Sequence, residues 1–117
     1  MMATLMGLKT ISPQELHYLN ERREVTVIDV NSAESWRKAH VPGAVNLDAA
    51  HFIQDELPAD KTRGLVFYCS NPMCRKAPGA ARRAQAMGYG NVKVLSAGIS
   101  GWRAARLPTS SATPAEV

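Results

Sequence analysis

Residues 65–87 read LVFYCSNPMCRKAPGAARRAQAM, and this stretch decides the fold of the chain. The apolar run 65–68 is typical of a strand that is buried on both faces of a sheet. After a turn-rich loop, residues 77–87 predict a helix with alanines along one side, and such a small-residue face can approach a sheet closely. A strand that leads into a helix in this way is the building unit of parallel α/β sheets.

The rest of the chain repeats this alternation of strands and helices. Ser12 and Pro13 predict a capped helix that begins at Pro13 and runs to about Arg23. The other patterns predict strands over 25–30, 45–47 and 92–95, short helices over 33–39 and 98–106, and a weak helix over 49–53. We therefore expect an α/β fold with an open parallel sheet of about five strands, flanked by helices on both faces. It forms one domain over residues 10–108, with 1–9 and 109–117 as flexible termini.

The amino-acid composition narrows the classes of function that the chain can have. The chain has 117 residues, of which 45% are hydrophobic and 21% charged, and its net charge is +4. This charge suits a small anionic ligand, but the basic residues do not alternate with aromatic ones as nucleic-acid binding would need. No apolar stretch approaches the roughly 20 residues that cross a bilayer, and residues 1–9 lack a secretory pattern, so we expect a cytoplasmic protein without a membrane partner.

Cys69 is the candidate nucleophile. It lies between the buried strand and the following helix, where the unpaired N–H groups of a helix start favour thiolate over thiol. The alternative is a small buried apolar residue at a strand end. Because ligands bind beyond the carboxyl ends of parallel strands, the predicted fold favours the functional interpretation.

Three segments together resemble the rhodanese domain family. Residues 27–30, followed by Glu34 and by 40–46, resemble its first signature; residues 66–69 with the loop and helix after them resemble its active-site segment; residues 94–102 resemble its closing segment. Rhodanese domains take a sulfane sulfur onto a loop cysteine as a persulfide and pass it to a thiophile. The resemblance implies that Cys69 is this cysteine and that the protein is a sulfurtransferase of the thiosulfate sulfurtransferase type. We expect no cofactor, and no metal site either, because two cysteines without a second Cys or His pair nearby cannot fill the four positions of a zinc site.

The loop after Cys69 is the expected substrate-binding site. A loop that curls toward the helix start can direct N–H groups at an anion, and basic side chains add positive charge. The expected binding residues are Ser70, Asn71, Met73, Cys74, Arg75 and Lys76. The expected partners are a small anionic sulfur donor and a thiol or cyanide acceptor, with a thiol reductant protein as a further candidate.

The loop also departs from the family pattern. The family commonly places Arg five positions after the cysteine, where this chain has Cys74, with Arg75 one position later. Cys-x5-Arg spacing resembles rhodanese-fold phosphatases and arsenate reductases, which is one alternative function; a non-catalytic sulfur carrier or binding module is another. Pro72 lacks an N–H, and the loop has no carboxylate to protonate a leaving alkoxide, so sulfur transfer is the favoured hypothesis.

Other chemistry-bearing residues have mainly structural interpretations. Cys74 is either a loop residue of no consequence or a resolving thiol that attacks the Cys69 persulfide and leaves a disulfide. Asp29, at the end of a buried strand, is expected to accept hydrogen bonds rather than to act in catalysis. His40 is expected to tie its turn to Asp29 or to the backbone. Asn31 stands where the family commonly has Arg, which removes one positive side chain from the first segment.

Overall fold

The computed structural model describes residues 7–112 of the chain. In this range strands and helices alternate as the sequence predicts. The elements are β1 (Lys9–Thr10), α1 (Pro13–Glu21), β2 (Val25–Asp29), α2 (Ala33–Lys38), β3 (Val45–Asn46), a 3-10 helix (Gln54–Glu56), β4 (Gly64–Tyr68), α3 (Lys76–Ala86), β5 (Val92–Val94) and α4 (Gly98–Ala104). The Ser12 side chain accepts a hydrogen bond from the Glu15 N–H, which fixes the start of α1 as expected.

The five strands form one parallel sheet in the order β1-β5-β4-β2-β3. The expected parallel α/β fold is confirmed. β4 is the central strand, and all five of its residues are buried. Because the carboxyl ends of parallel strands share one edge, the residue that follows β4 lies at the middle of that edge, where such sheets bind ligands.

Each face of the sheet packs against its own helices. On one face Leu65, Phe67 and Cys69 meet the buried alanines of α3. On the other face Val66 and Tyr68 belong to a second core with Leu16 of α1 and Trp102 of α4, which are both fully buried. Side chains of a strand alternate between faces, so the period of two along β4 places Cys69 on the α3 face.

The segment between β3 and the 3-10 helix differs from the sequence prediction. The weak helix over 49–53 is wrong: the segment is a turn in which the Phe52 N–H donates to the Asp48 carbonyl, and the 3-10 helix comes after it. The Phe52 side chain is buried and lies against Phe67, with ring centroids 6.0 Å apart. A single turn without a second stabilising turn is a poor helix nucleus, so the burial of Phe52 decides the local path.

The folded part reaches past both limits of the expected 10–108 domain. Lys9 pairs with Lys93 in the sheet, and Ser110 exchanges backbone hydrogen bonds with His40. The rest of the expected flexible termini, residues 1–6 and 113–117, lies outside the described residues. Within 7–112, no helix combines the length and hydropathy that a membrane crossing requires.

Candidate active site

Cys69 lies buried at the carboxyl end of the central strand. Its relative exposure is 3%, and its side chain belongs to the core between the sheet and α3. Its carbonyl accepts a hydrogen bond from the Ile99 N–H at 2.9 Å. The buried strand before Cys69 and this backbone contact therefore fix the position of the Cys69 backbone.

The loop after Cys69 is a tight turn organised by Asn71. The Met73 N–H donates to Asn71 Oδ1 at 2.9 Å, and the Cys74 N–H donates to the Asn71 carbonyl at 3.1 Å. This turn directs the chain back toward the strand end. It places Cys74, which is half-buried against the α3-side core, beside Cys69.

Cys69 and Cys74 form a disulfide in this structure. Their Cα atoms are 6.4 Å apart, which lies within the range that disulfides span. From the sequence, a separation of five residues made an approach of the two cysteines plausible. The folded loop brings them close enough for a disulfide.

The closing segment supports the loop from behind. Besides the contact of Ile99 with Cys69, the Ser100 N–H donates to the Ser70 carbonyl at 3.0 Å. Gly98 adopts a φ of +67°, and a Cβ at this position would lie 2.6 Å from the Asn71 nitrogen and 2.6 Å from the Ser70 carbonyl carbon. Only glycine fits this conformation and this approach without displacing the loop.

The first segment holds the loop from the side. The Ser70 hydroxyl donates to Asn31 Oδ1 at 2.7 Å, and the Asn31 N–H donates to Asp29 Oδ1 at 2.7 Å. The Asn46 amide donates to the Asn31 and Asp29 carbonyls at 2.9 and 3.0 Å. Asn31 thus links β2 and β3 to the loop through an uncharged amide.

Asp29 and Tyr68 form a buried polar pair below this edge. The Tyr68 hydroxyl donates to Asp29 Oδ2 at 2.6 Å and accepts from the Val41 N–H at 3.0 Å. Burial raises the pKa of Asp29, although the hydrogen bonds from Tyr68 and from the Asn31 N–H oppose the shift. Burial first, and then the Asp29 charge, raises the pKa of Tyr68. The contacts are those expected of a structural carboxylate.

His40 also has the structural contacts that the sequence predicts. Its Nδ1 lies 2.6 Å from the Trp36 carbonyl, and its ring stacks on the Trp36 ring at a centroid distance of 4.3 Å. The expectation that His40 ties its turn to the backbone is confirmed.

A pocket of about 170 Å³ opens beside Cys69. Its lining residues come from the loop, the start of α3 and the end of β5: Cys69, Asn71, Pro72, Met73, Cys74, Arg75, Ala77, Pro78, Val94, Leu95 and Ser96. Arg75 is the charged residue of this lining, and it is exposed just before the first residue of α3. Met73, with a relative exposure of 86%, forms the outer rim.

The predicted binding residues fall into two groups. Asn71, Met73, Cys74 and Arg75 share the pocket with Cys69, whereas Ser70 is turned toward Asn31. Lys76 lines a neighbouring pocket of about 390 Å³ over the ends of β2 and β3.

In this disulfide form, not all backbone N–H groups of the loop are available to bind an anion as predicted. Pro72 has no N–H, and the N–H groups of Met73 and Cys74 donate hydrogen bonds to Asn71. The N–H groups of Ser70, Asn71 and Arg75 have no protein partner within residues 7–112. In the same range no three His, Cys, Asp or Glu residues are grouped closely enough to hold a metal ion.

Sequence reasoning did not single out Gly98, Ile99 and Ser100 as parts of the site. These residues belong to the stretch that resembles the family's closing segment, and this resemblance was the sequence signal for their role. Their contact with the loop depends on how β5 and α4 pack in the folded protein. The Ser70 to Asn31 hydrogen bond was missed because it joins residues 39 positions apart.

Residues 12–105 match the family described as Rhodanese-like domain. The match covers most of the chain, and the chain belongs to this family. The family resemblance of the three sequence segments is thereby confirmed, and it agrees with the parallel sheet and with a cysteine at the end of its central strand.

Individual relatives give a more detailed comparison. The thiosulfate sulfurtransferase GlpE of Shewanella oneidensis is 30% identical over 104 residues, which cover 86% of this chain and 98% of that protein. The HTH-type transcriptional regulator Rv0324 of Mycobacterium tuberculosis is 36% identical over 104 residues; these cover 89% of this chain, which spans only 46% of the regulator's length. Among solved structures, the BH2092 protein of Bacillus halodurans has the same fold, with a TM-score of 0.82, 24% identity, and coverage of 99% of this chain and 85% of that one.

Proposed function

We propose that the protein is a sulfurtransferase that moves a sulfane sulfur from thiosulfate or another persulfide donor to a thiophilic acceptor through a persulfide on Cys69. The observation that carries this proposal is the position of Cys69 at the carboxyl end of the central strand, in a pocket that it shares with Arg75. Membership of the rhodanese-like family and the similarity to a protein named thiosulfate sulfurtransferase support it.

The proposed reaction has two displacement steps. The Cys69 thiolate attacks the outer sulfur of thiosulfate, the sulfur–sulfur bond breaks, and sulfite leaves with the electron pair. A thiolate or cyanide then attacks the outer sulfur of the persulfide, and Cys69 leaves as a thiolate. Arg75 and the start of α3, an 11-residue helix, provide positive potential for the anionic donor and for each thiolate.

The pocket supports sulfur transfer over phosphate-ester hydrolysis. A phosphatase needs an acid that protonates the leaving alkoxide. No carboxylate belongs to the described lining of the Cys69 pocket. Both displacement steps of sulfur transfer expel groups that leave as anions, so they need no such acid.

Intact mass spectrometry tests the proposal directly. The Cys74→Ser chain, in which the second loop thiol cannot react with a persulfide, is reduced, freed of reductant and incubated with thiosulfate. We expect a gain of one sulfur atom that maps to Cys69 and is absent in Cys69→Ser. Cyanide should then yield thiocyanate over repeated turnovers. Loading without turnover would indicate a sulfur carrier, and the absence of loading with both thiosulfate and a small organic persulfide would contradict the proposal.

Two parallel assays address the alternative enzymes. Hydrolysis of an aryl phosphate or reduction of arsenate by the native chain, lost in Cys69→Ser and in Arg75→Ala, would favour the oxyanion chemistry that Cys-x5-Arg spacing suggests. We expect neither activity.

A further inference from the structure

We propose that Cys74 is a resolving thiol that expels sulfide from the Cys69 persulfide, so that a dithiol reductant is the final electron donor of this site. The inference rests on the proposed sulfur transfer, because it concerns the fate of the same persulfide. The observation that carries it is the disulfide between the two cysteines at the pocket.

The fold directs Cys74 at the inner sulfur of the persulfide. In the structure the Cys74 sulfur is bonded to Cys69 Sγ, the atom that would become the inner sulfur. Because Cys74 belongs to the same loop, its sulfur reaches Cys69 Sγ without entering the pocket from solution, whereas a dissolved acceptor meets the outer sulfur of the persulfide. Cys74 is therefore the thiol best placed to attack the inner sulfur.

The turn holds Cys74 near Cys69 through contacts that do not involve sulfur. The hydrogen bonds of Met73 and Cys74 to Asn71 close the turn, and Ile99 and Ser100 hold the two residues before it. A thiol kept this close acts at a high effective concentration, which reaches ~10⁵–10⁸ M for well-oriented groups. The intramolecular attack therefore competes well with acceptors in solution.

The step needs no outside oxidant. The Cys74 thiolate forms a bond to Cys69 Sγ, the bond between Sγ and the outer sulfur breaks, and the outer sulfur leaves as hydrosulfide with the electron pair. The sulfane sulfur is reduced to sulfide, and the two thiols are oxidised to the disulfide. A dithiol then reduces the disulfide by thiol exchange and becomes a disulfide itself.

The complete cycle balances in atoms and electrons. Thiosulfate and one dithiol give sulfite, hydrogen sulfide and one oxidised dithiol. A thiol acceptor that takes the outer sulfur instead leaves Cys69 reduced and Cys74 unused. With the second cysteine, the outer sulfur of the Cys69 persulfide has two possible fates: transfer to an acceptor or release as sulfide.

A single-turnover experiment without external acceptor tests this inference. Reduced native protein, freed of reductant and kept anaerobic, receives one equivalent of thiosulfate. We expect about one equivalent of sulfide per chain and a product that has lost two hydrogen atoms, with peptide mapping that joins Cys69 to Cys74. Cys74→Ser and Cys74→Ala should each keep the added sulfur on Cys69 and release at least about tenfold less sulfide.

The outcomes separate the two proposals. A native chain that keeps the persulfide, releases no sulfide and leaves Cys74 as a free thiol overturns the inference while sulfur transfer stands. A native chain that neither gains sulfur nor releases sulfite and sulfide overturns both. The native result decides by itself, so the test does not depend on how well either Cys74 variant folds. As the last step, reduced dithiothreitol should convert the Cys69–Cys74 disulfide of the native product back to two thiols, and after its removal a second equivalent of thiosulfate should release a second equivalent of sulfide.

Discussion

Replacing Gly98 by alanine should damage both the stability of the fold and the loop that carries Cys69. The change adds one methyl group at a residue with φ +67°, a conformation that costs an L-residue about 1–2 kcal/mol. The new Cβ would lie 2.6 Å from the Asn71 nitrogen and from the Ser70 carbonyl carbon. Since these are backbone atoms, the loop itself has to move.

The displacement should also weaken the two backbone hydrogen bonds that α4 makes with the loop. Ile99 donates to the Cys69 carbonyl and Ser100 to the Ser70 carbonyl. Each such bond contributes about 0.5–1.5 kcal/mol. Together with the backbone conformation, we expect Gly98→Ala to lower the free energy of unfolding by about 2–5 kcal/mol. A loss near the middle of that range lowers Tm by roughly 10–15 °C in a domain of this size.

Two other glycines provide matched controls. Gly43 has a φ of +80° but nothing within 4 Å of an added Cβ, so Gly43→Ala carries the conformational cost alone. Gly79 lies within α3 and has neither feature, so Gly79→Ala should be neutral or should stabilise by up to about 1 kcal/mol. Urea unfolding gives the change in the free energy of unfolding for each of the three variants. The difference between Gly98→Ala and Gly43→Ala measures the cost of the close contact separately from the cost of the positive φ.

The rate of sulfur uptake by Cys69 completes the experiment. Gly98→Ala should slow uptake from thiosulfate, because the loop backbone around Cys69 has moved, whereas Gly79→Ala should not. If Gly98→Ala loses no more stability than Gly43→Ala and takes up sulfur at the native rate, then the close approach of Gly98 does not position the loop, and the reasoning is refuted.

Three further predictions concern the polar contacts around the site. Tyr68→Phe removes the hydroxyl that serves both Asp29 and the Val41 N–H, and with about 1–3 kcal/mol for each of these two buried groups left unpaired it should cost about 2–6 kcal/mol in urea unfolding. A loss below that of an exposed control such as Tyr18→Phe would contradict the role of this pair. The folded-state pKa of Asp29 is raised above 3.8, so the free energy of unfolding should fall as pH rises through that pKa. This fall should be smaller in Asp29→Asn, and equal slopes in the two proteins would exclude Asp29 as its cause. Ser70→Ala loses the hydrogen bond to Asn31 and should cost about 0.5–1.5 kcal/mol while slowing sulfur uptake, and unchanged uptake would show that this side contact does not hold the loop.

Local sequence patterns predicted the parts of the fold that depend on neighbours in the chain. The Ser12 and Pro13 start of α1, the apolar strand β4 and the alanine face of α3 were all recognisable because capping, burial and periodicity act over a few residues. The identity of Cys69 as the residue at a strand end followed from the same patterns. The likeness of three segments to one family then placed these elements in a single architecture.

Contacts between distant residues decided what local patterns could not. β1 has only two residues, both exposed, and it is a strand because Lys9 and Thr10 find partners in β5. The segment 49–53 could have continued as a helix, but its path follows the burial of Phe52 against Phe67. In both places the free energy comes from partners far away in the chain, so the local sequence carries little sign of it.

The sequence by itself determined the class of fold, the strand end that carries Cys69 and the presence of a second thiol and an arginine in the loop after it. Only the tertiary structure decided how that loop curls. The Asn71 turn brings Cys74 to Cys69, Gly98 supports the loop from behind, and Asn31 holds it from the side. The physical reason is that strand and helix formation depend mainly on local periodicity and burial, whereas the position of a loop depends on a few hydrogen bonds and close approaches between segments that meet only after the sheet has formed.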